Sequence, residues 1–160
     1  MSTPNFQTVA VIGAGAMGRG IAQIATQSGS QVLLYDTNPD QVKAALAAIA
    51  GQWDKMAAKG KLTPEQLAGN KARLLPATEL AALKDCDLII EAIIERLDIK
   101  KSLFADLEAI VRDDCVLVTN TSSLSVTAIA NGAKRPARIA GYHFFNPVPL
   151  MKVVEVIAGL

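Results

Sequence analysis

The sequence predicts a doubly wound α/β domain with a mostly parallel sheet. Three observations support this prediction. Short apolar runs recur along the chain, amphipathic helical segments separate most of them, and a glycine-rich turn joins the first run to the first helix. Parallel strands need helical crossovers, which cover both faces of the sheet. A chain of 160 residues has the length of one such domain.

Six strands are expected from apolar runs, some of them rich in β-branched residues. They span residues 8–12, 31–35, 87–90, 115–119, 139–142 and 153–157. Helical spacing, prolines and terminal glycines predict helices over residues 17–28, 41–59, from 63–64 onwards, and over 96–111. The second and third helices form a helix-turn-helix excursion after the second strand. This excursion is either a solvated arm or a ligand-binding arm.

Composition narrows the class of partner. The formal net charge is +1, so there is no basic field to attract nucleic acid or an acidic membrane, and a small-molecule partner is expected. The sequence contains neither an apolar run of the ~20 residues that span a membrane nor a signal-peptide pattern, which predicts a cytoplasmic location. One histidine and two cysteines predict no metal site, with Cys86 and Cys115 reduced and packed.

The first turn carries a nucleotide-binding pattern. The stretch VAVIGAGAMGRGIAQIA fits the G-x-G-x-x-G fingerprint of Rossmann-type folds at Gly13, Gly15 and Gly18. These glycines allow a tight turn, close approach of a pyrophosphate and close helix packing. The anion would lie at the N-terminus of the next helix, beside Ala16 and Met17, where free N–H groups and the helix dipole favour negative charge.

Asp36 follows the second strand, in QVLLYD. At this distance from the glycine loop, a carboxylate accepts hydrogen bonds from the adenine ribose hydroxyls. Asp36 would also repel a 2′-phosphate, and Thr37 and Asn38 supply no cation, so the sequence predicts NAD as cofactor rather than NADP. In the alternative interpretation the glycines serve only a tight turn, and Asp36 is a solvated residue at a strand end.

The second half of the chain carries candidates for chemistry. His143 ends an apolar strand in GYHFFNPVP, and Glu155 is the single acidic residue of the returning run KVVEVI. In one interpretation, Glu155 holds one tautomer of His143 and makes the ring a better general base. In the other, His143 is a hydrogen-bonded residue at a strand end and Glu155 faces water. The spacing alone does not decide between them.

These segments resemble the 3-hydroxyacyl-CoA dehydrogenase family over the whole chain. The resemblance rests on GAGAMGRGIA, EAIIE, NTSS and HFFNPVP followed by KVVEVI. Further details, such as KKSLFADL and TAIA, are most similar to bacterial 3-hydroxybutyryl-CoA and 3-hydroxyadipyl-CoA dehydrogenases. The resemblance implies oxidation of the 3-hydroxyl group of an acyl-CoA to a 3-oxoacyl-CoA, with hydride transfer to NAD.

The resemblance also implies roles for individual residues. His143 would be the base, Glu155 its orienting partner, and Ser122 a hydrogen-bond donor to the substrate oxygen. Asn146 would hold both substrate and nicotinamide. On the cofactor side the family positions are Glu95, Lys100 and Asn120.

Other residues have two interpretations. Lys59 matches a lysine of the helical arm that contacts CoA, although a solvated helix end would also explain it. Ordinary turn capping would likewise explain Ser122 and Asn146. As for the whole chain, the alternative is a non-catalytic NAD-binding or structural protein of the same fold, against which the set Ser122, His143 and Glu155 argues. Dehydrogenases of free 3-hydroxy acids share only the glycine loop, and the HFFNPVP turn argues against them.

In family members a C-terminal helical domain supplies a further asparagine, covers the acyl chain and forms the dimer. Residues 1–160 match the NAD-binding domain alone. The chain is therefore expected to bind NAD with little turnover. An apolar face should lie open beyond His143 and Asn146, and self-association through that face is expected.

Overall fold

The computed structural model describes residues 3–160, which form one seven-stranded sheet. In chain order the strands are β1 Thr8–Ile12, β2 Gln31–Tyr35, β3 Leu74–Pro76, β4 Leu88–Glu91, β5 Val116–Thr119, β6 Ile139–Phe144 and β7 Val154–Ala158. Their order across the sheet is β3-β2-β1-β4-β5-β6-β7. Only β6 and β7 pair antiparallel. The winding reverses between β1 and β4, where such sheets bind ligands at the carboxyl ends of their strands. The predicted fold class is confirmed.

Within the described residues, five α-helices pack on the sheet: α1 Ala16–Gln27, α2 Pro39–Ala58, α3 Pro64–Arg73, α4 Leu97–Ile110 and α5 Val126–Ala130. Local signals fix where the helices of the arm begin. Proline lies in the first turn of both α2 and α3. The Thr63 side chain accepts the N–H of Gln66, which returns a bond to the Thr63 N–H as a capping box. The expected helix-turn-helix excursion is confirmed.

The side chains of β1 alternate between two hydrophobic cores, one on each face of the sheet. Val9 and Val11 belong to the core under α1 and α2, whereas Ala10 and Ile12 belong to the core under α4 and α5. Successive side chains of a strand point to opposite faces, so one apolar strand serves both cores. All four side chains are at most 3% exposed. The carboxyl end of β1, which holds the glycine loop, is therefore fixed from both sides.

Two short elements were not predicted. β3 has three residues, follows α3 directly and ends in Pro76, which is tolerated because β3 lies at the edge of the sheet. α5 has five residues, too few to show a helical period. The other predicted strands and helices are confirmed to within two residues at each end.

The amino end of β4 ties neighbouring strands together through Asp87. Its Oδ2 accepts the N–H groups of Gln7 and Thr8 at 3.0 and 2.9 Å, and its Oδ1 accepts a hydrogen bond from Arg112 at 2.7 Å. The hydrogen bond from the Thr8 N–H, then that from Arg112, hold the pKa of Asp87 below its usual value. This carboxylate is a structural clamp at the edge opposite the glycine loop.

The two thiols are packed, as expected. Cys86 and Cys115 are free and buried. Burial is the main cause that raises the pKa of Cys86 to about 12 and that of Cys115 to about 11. In the part of the chain that the structure describes, no helix is long and apolar enough to cross a membrane.

Strand β7 and the segment before it present apolar side chains to solvent. The exposed large ones here are Leu150, Met151, Val153, Val154, Val156, Ile157 and Leu160. Every residue of β7 is exposed, whereas every residue of β4 is buried. The open apolar face expected beside His143 is confirmed.

Candidate active site

The glycine loop joins β1 to α1, and its three glycines differ in what surrounds them. Gly13 has a φ of +106°, and a Cβ there would collide with the carbonyl oxygen of Ala92. A Cβ on Gly18 would overlap the carbonyl oxygen of Gly13, so α1 packs directly on the loop. A Cβ on Gly15 would meet no protein atom within 4 Å. The space beside Gly15 is open to a ligand.

The N-terminus of α1 is free to bind an anion. Gly15 is the N-cap residue and provides no side-chain acceptor for the N–H groups that follow. The first turn, which begins at Ala16 and Met17, contains no acidic residue. Together with the open space at Gly15, these N–H groups fit the pyrophosphate of NAD, because a helix N-terminus attracts negative charge.

The Asp36 carboxylate, which follows β2, accepts two backbone hydrogen bonds. Its Oδ2 accepts the N–H of Ala14 and its Oδ1 accepts the N–H of Asn38, each at 2.9 Å. The carboxylate therefore links the end of β2 to the glycine loop. It also lines a cleft of about 200 Å³ whose walls include Val42, Lys43, Leu46, Pro76 and Ala77. This cleft was not predicted, because only the fold brings α2 and the unexpected β3 together beside Asp36.

A buried ion cluster lies at the carboxyl ends of β4 and β5. The Lys100 ammonium donates to Glu91 Oε2 at 2.5 Å and to the carbonyl of Ile93 at 3.3 Å, and it lies 3.4 Å from Glu95 Oε1. Glu91 also accepts bonds from the Thr119 hydroxyl at 2.6 Å and the Ile93 N–H at 2.8 Å. Lys100 and Glu91 are both 0% exposed. The cluster ties the loop after β4 to β5 and α4.

Glu95 is the exposed member of this cluster, with 40% of its side chain accessible. Its Oε2 accepts the hydroxyls of Thr121 at 2.7 Å and Ser123 at 3.2 Å. Burial opposes its ionisation, but the Thr121 hydrogen bond and the Lys100 charge outweigh that effect and lower the pKa of Glu95. Because the Lys100 ammonium already faces three acceptors, an influence of Lys100 on a cofactor would act through Glu95.

Glu91 had no role predicted from the sequence, although EAIIE was part of the resemblance. The available signal was an acidic residue at the end of an apolar strand, with a lysine nine positions later on the following helix. A buried charge needs a partner. Asn120, which was predicted to lie on the cofactor side, accepts the N–H of Phe144 at 2.9 Å and so joins β5 to β6.

His143 and Glu155 lie directly opposite each other in the antiparallel pair of β6 and β7. His143 Nδ1 is 3.5 Å from Glu155 Oε2. The His143 ring packs edge-on against Phe145, with ring centres 4.7 Å apart. His143 is 22% exposed and Glu155 is 56% exposed. The structure thus contains the pairing of the first interpretation and the water-facing carboxylate of the second.

One cleft brings half of the predicted site residues together. It has a volume of about 310 Å³ and begins beside α1. The site residues along its walls are Met17, Glu95, Lys100, Asn120, Ser122, His143 and Asn146. Ser122 and Asn146 are both exposed at its rim. Residues separated by more than 120 positions in the sequence therefore share one surface.

A second cleft of about 540 Å³ runs between α1, α2 and the turn at residues 146–150. Asn146 lines both this cleft and the one that contains His143. The cationic side chains along the larger cleft are Arg19, Lys55, Lys59 and Lys61. Lys59 follows the end of α2, at the C-cap position. The helical arm therefore contributes a basic wall that is continuous with the rim beside His143.

Comparison with known proteins identifies the relatives of this chain. The family described as 3-hydroxyacyl-CoA dehydrogenase, NAD binding domain, matches residues 8–160. The chain belongs to this family. It is 50% identical over 156 residues to 3-hydroxyadipyl-CoA dehydrogenase of Escherichia coli (strain K12). The matched region covers 98% of this chain and 33% of that protein. It is 46% identical over 151 residues to a probable 3-hydroxybutyryl-CoA dehydrogenase of Deinococcus radiodurans. Here the matched region covers 93% of this chain and 53% of that protein.

Solved dehydrogenases of the family have the same fold. The crystal structure of 3-hydroxybutyryl-CoA dehydrogenase from Escherichia coli K12 matches with a TM-score of 0.95 and 50% identity, over 98% of this chain and 33% of that chain. The (S)-3-hydroxybutyryl-CoA dehydrogenase of Ralstonia eutropha matches with a TM-score of 0.92 and 38% identity, over 98% and 55% of the two chains. The chain thus spans between a third and about half of these relatives. The resemblance read from the motifs and the assignment of NAD as the family's cofactor are confirmed.

Proposed function

We propose that this chain serves an NAD-dependent dehydrogenase that oxidises the 3-hydroxyl group of an acyl-CoA to the 3-oxoacyl-CoA. The observation that carries the proposal is the opposition of His143 and Glu155 across β6 and β7, on a cleft that also contains Ser122 and Asn146. Bound NAD supplies the hydride acceptor. The protein groups must then bind the hydroxyl, remove its proton and keep C3 in place.

His143 is the proposed base. With Nδ1 directed towards Glu155, Nε2 is left for the substrate hydroxyl, and it takes the proton as hydride leaves C3. The ring becomes positive in this step, and the Glu155 carboxylate stabilises that charge and fixes the ring orientation. The Ser122 hydroxyl donates a hydrogen bond to the substrate oxygen. Asn146, at the rim, holds substrate against the cofactor.

The cofactor would extend along the carboxyl ends of the strands. In this proposal the N–H groups at Ala16 and Met17 bind the pyrophosphate, and Asp36 accepts hydrogen bonds from the adenine ribose. The smaller cleft beside Asp36 takes the adenine ring against Val42 and Pro76. Glu95 and Asn120 lie on the nicotinamide side, and Lys100 acts through Glu95.

The basic cleft is the proposed site for the CoA moiety. Arg19, Lys55, Lys59 and Lys61 present positive charge suited to phosphate groups. Since Asn146 lines both clefts, a thioester that crosses this residue would have its acyl end at His143 and its phosphates at the helical arm. The relatives are 3-hydroxyadipyl-CoA and 3-hydroxybutyryl-CoA dehydrogenases, and their short 3-hydroxyacyl groups support a short acyl chain. The net charge of +1 supports a small-molecule partner rather than nucleic acid or a membrane.

We also propose that turnover needs the helical domain that the family resemblance implies, and that this domain forms the dimer. The exposed apolar side chains of β7 support a covering partner at this edge. Without such a cover the substrate is poorly oriented and open to water, and orientation alone is worth several kcal/mol. The chain by itself is therefore expected to bind NAD and to turn over slowly.

The test compares two proteins. One is this chain, and the other is this chain joined at Leu160 to the remainder of the Escherichia coli relative. NADH absorbance is followed with 3-hydroxybutyryl-CoA and 3-hydroxyadipyl-CoA. We expect NAD binding by both proteins but turnover only by the fusion, and His143→Ala should lower the kcat of the fusion by ~100-fold or more with NAD affinity nearly unchanged. Equal turnover by the chain alone would refute the need for a second domain, and a correctly folded but inactive fusion would refute the dehydrogenase assignment.

A further inference from the structure

The ion cluster after β4 contains one positively charged side chain, Lys100, and two negatively charged ones, Glu91 and Glu95. Lys100 has three N–H donors and three nearby acceptors: Glu91 Oε2, the Ile93 carbonyl and Glu95 Oε1. This is the full complement of an ammonium group. Glu91 accepts three hydrogen bonds, from Lys100, Thr119 and the Ile93 N–H, as an ionised carboxylate does. One cation therefore faces two carboxylates.

The surplus negative charge resides on Glu95. Glu91 is buried and makes the shorter contact with Lys100, at 2.5 Å, whereas Glu95 lies 3.4 Å away and is 40% exposed. The hydroxyls of Thr121 and Ser123 hold Glu95 at the cleft. Of the described residues along that cleft, the ionisable ones are Glu95, Lys100 and His143. One cation cannot balance two carboxylates, and Glu91 makes the closer contact with Lys100, so the net negative charge of the cluster faces the cleft at Glu95.

The two redox forms of NAD differ by one charge, because the nicotinamide ring is cationic when oxidised and neutral when reduced. We propose that Glu95, left unbalanced by the Glu91–Lys100 pair, makes this site bind the oxidised cofactor more tightly relative to the reduced one. A carboxylate near the ring attracts the oxidised form and has little effect on the neutral ring. This inference depends on the proposed function, because it requires the nicotinamide in the cleft that contains His143.

The consequence concerns the direction of the reaction on the protein. A site that favours the oxidised cofactor raises the fraction of protein ready to accept hydride, and it leaves binding of the reduced product nearly unchanged. Because Lys100 is buried against Glu91, it does not balance the charge of Glu95, and this charge remains available to attract the oxidised cofactor. If Lys100 paired fully with Glu95 instead, the surplus charge would move to Glu91, which is buried and does not line the cleft.

The test measures dissociation constants of NAD+ and NADH, by calorimetry and by NADH fluorescence, for the wild-type chain and for Glu95→Gln. In the variant, NAD+ binding should weaken about three- to fivefold, the scale of a partly exposed ion pair, while NADH binding changes by less than about twofold. Ser123→Lys is a second route to the same result, since it places an ammonium beside Glu95 and leaves the Thr121 and Lys100 contacts in place. Glu65→Gln on α3 is the matched control, because it changes net charge equally at an exposed position away from the cleft.

The outcomes separate the inference from the proposed function. A wild-type chain that binds neither NAD+ nor NADH would refute the proposed function itself. If the wild type binds both forms and the folded variants keep its ratio of affinities, or lose both affinities equally, the charge effect of Glu95 is refuted and the proposed function stands. Thermal unfolding of each variant shows whether it is folded, and the two independent substitutions keep the test valid if one of them unfolds the chain.

Discussion

Asp36 and Ala14 are joined by a hydrogen bond of 2.9 Å, from the N–H of Ala14 to Asp36 Oδ2, which fixes the glycine loop to the end of β2. Asp36→Ala should therefore have two effects. It should lower NAD affinity by ~10-fold or more, because charge-assisted hydrogen bonds are lost. It should also relax discrimination against NADP, because the repulsion of a 2′-phosphate disappears. Calorimetric titration of both cofactors measures both effects.

The two effects of Asp36→Ala can be told apart. A loop that has merely lost its support would bind NAD and NADP equally less well. Loss of the negative charge shifts the ratio of NAD affinity to NADP affinity in favour of NADP. An unchanged ratio would contradict the assignment of Asp36 to the ribose.

Gly15 offers a test of the cofactor site that does not disturb the fold. A Cβ at Gly15 meets no protein atom within 4 Å, and the residue has a φ of −72°, which alanine also adopts. Gly15→Ala should leave the free energy of unfolding within about 1 kcal/mol of wild type while lowering NAD affinity by ~10-fold, since the methyl group occupies the space for the pyrophosphate. Chemical denaturation and NAD titration are the two measurements.

Gly51 is the matched control for Gly15. It lies inside α2, and a Cβ there also meets no atom within 4 Å. Gly51→Ala should stabilise the chain by about 0.5–1 kcal/mol and leave NAD affinity unchanged. Equal NAD affinities in the two variants would show that the cofactor does not approach Gly15.

The buried pair of Lys100 and Glu91 should be sensitive to the loss of one partner. Lys100→Met leaves Glu91 buried without its cation, and this change should cost about 3–5 kcal/mol of unfolding free energy. Lys71→Met is the control, because Lys71 and Asp54 form a pair at 2.6 Å whose side chains are 42% and 55% exposed. That change should cost at most about 1 kcal/mol. Similar losses in both variants, measured by urea unfolding, would contradict the role given to burial.

Asp87 predicts a pH dependence of stability. Its pKa is lowered in the folded chain, so the unfolded chain binds more protons and stability falls as the pH drops below the usual aspartate pKa of about 4. The contribution is complete above that value and is lost once the pH passes through the lowered folded pKa. Asp87→Asn should cost about 1–3 kcal/mol at neutral pH, and the difference from wild type should shrink between about pH 4 and the lowered pKa. A difference that is constant down to pH 2 would refute this account.

The sequence predicted those features for which the local backbone accepts only one residue type. The glycine fingerprint predicted the loop, because only glycine tolerates the backbone of Gly13 and the close packing at Gly18. The hydrogen bond from Ala14 to Asp36 was not predicted. The pairing of His143 with Glu155 could only be left open. It depends on strand register, which places the two residues opposite each other and which no local pattern determines.

Other features depend on distant parts of the chain. The cleft beside Asp36 needs β3, three residues too short to recognise as a strand. The burial of Glu91 with Lys100 depends on how α4 packs on β4, and a sequence shows only that two charges are nine positions apart. The structural surroundings of Glu95 and Lys100 were therefore unpredicted, even though the family resemblance had singled out both residues.

The position of β1 has a consequence for synthesis of the chain. β1 is the first of the seven strands to leave the ribosome, yet it lies in the middle of the sheet, between β2 and β4. Val9 pairs with Leu88, so one edge of β1 has no partner until about 80 further residues have been made. At roughly 5–20 residues per second this takes several seconds, during which an apolar strand edge is open to other chains. We therefore expect residues 8–12 to be most open to pairing with other chains while β4 is still being synthesised.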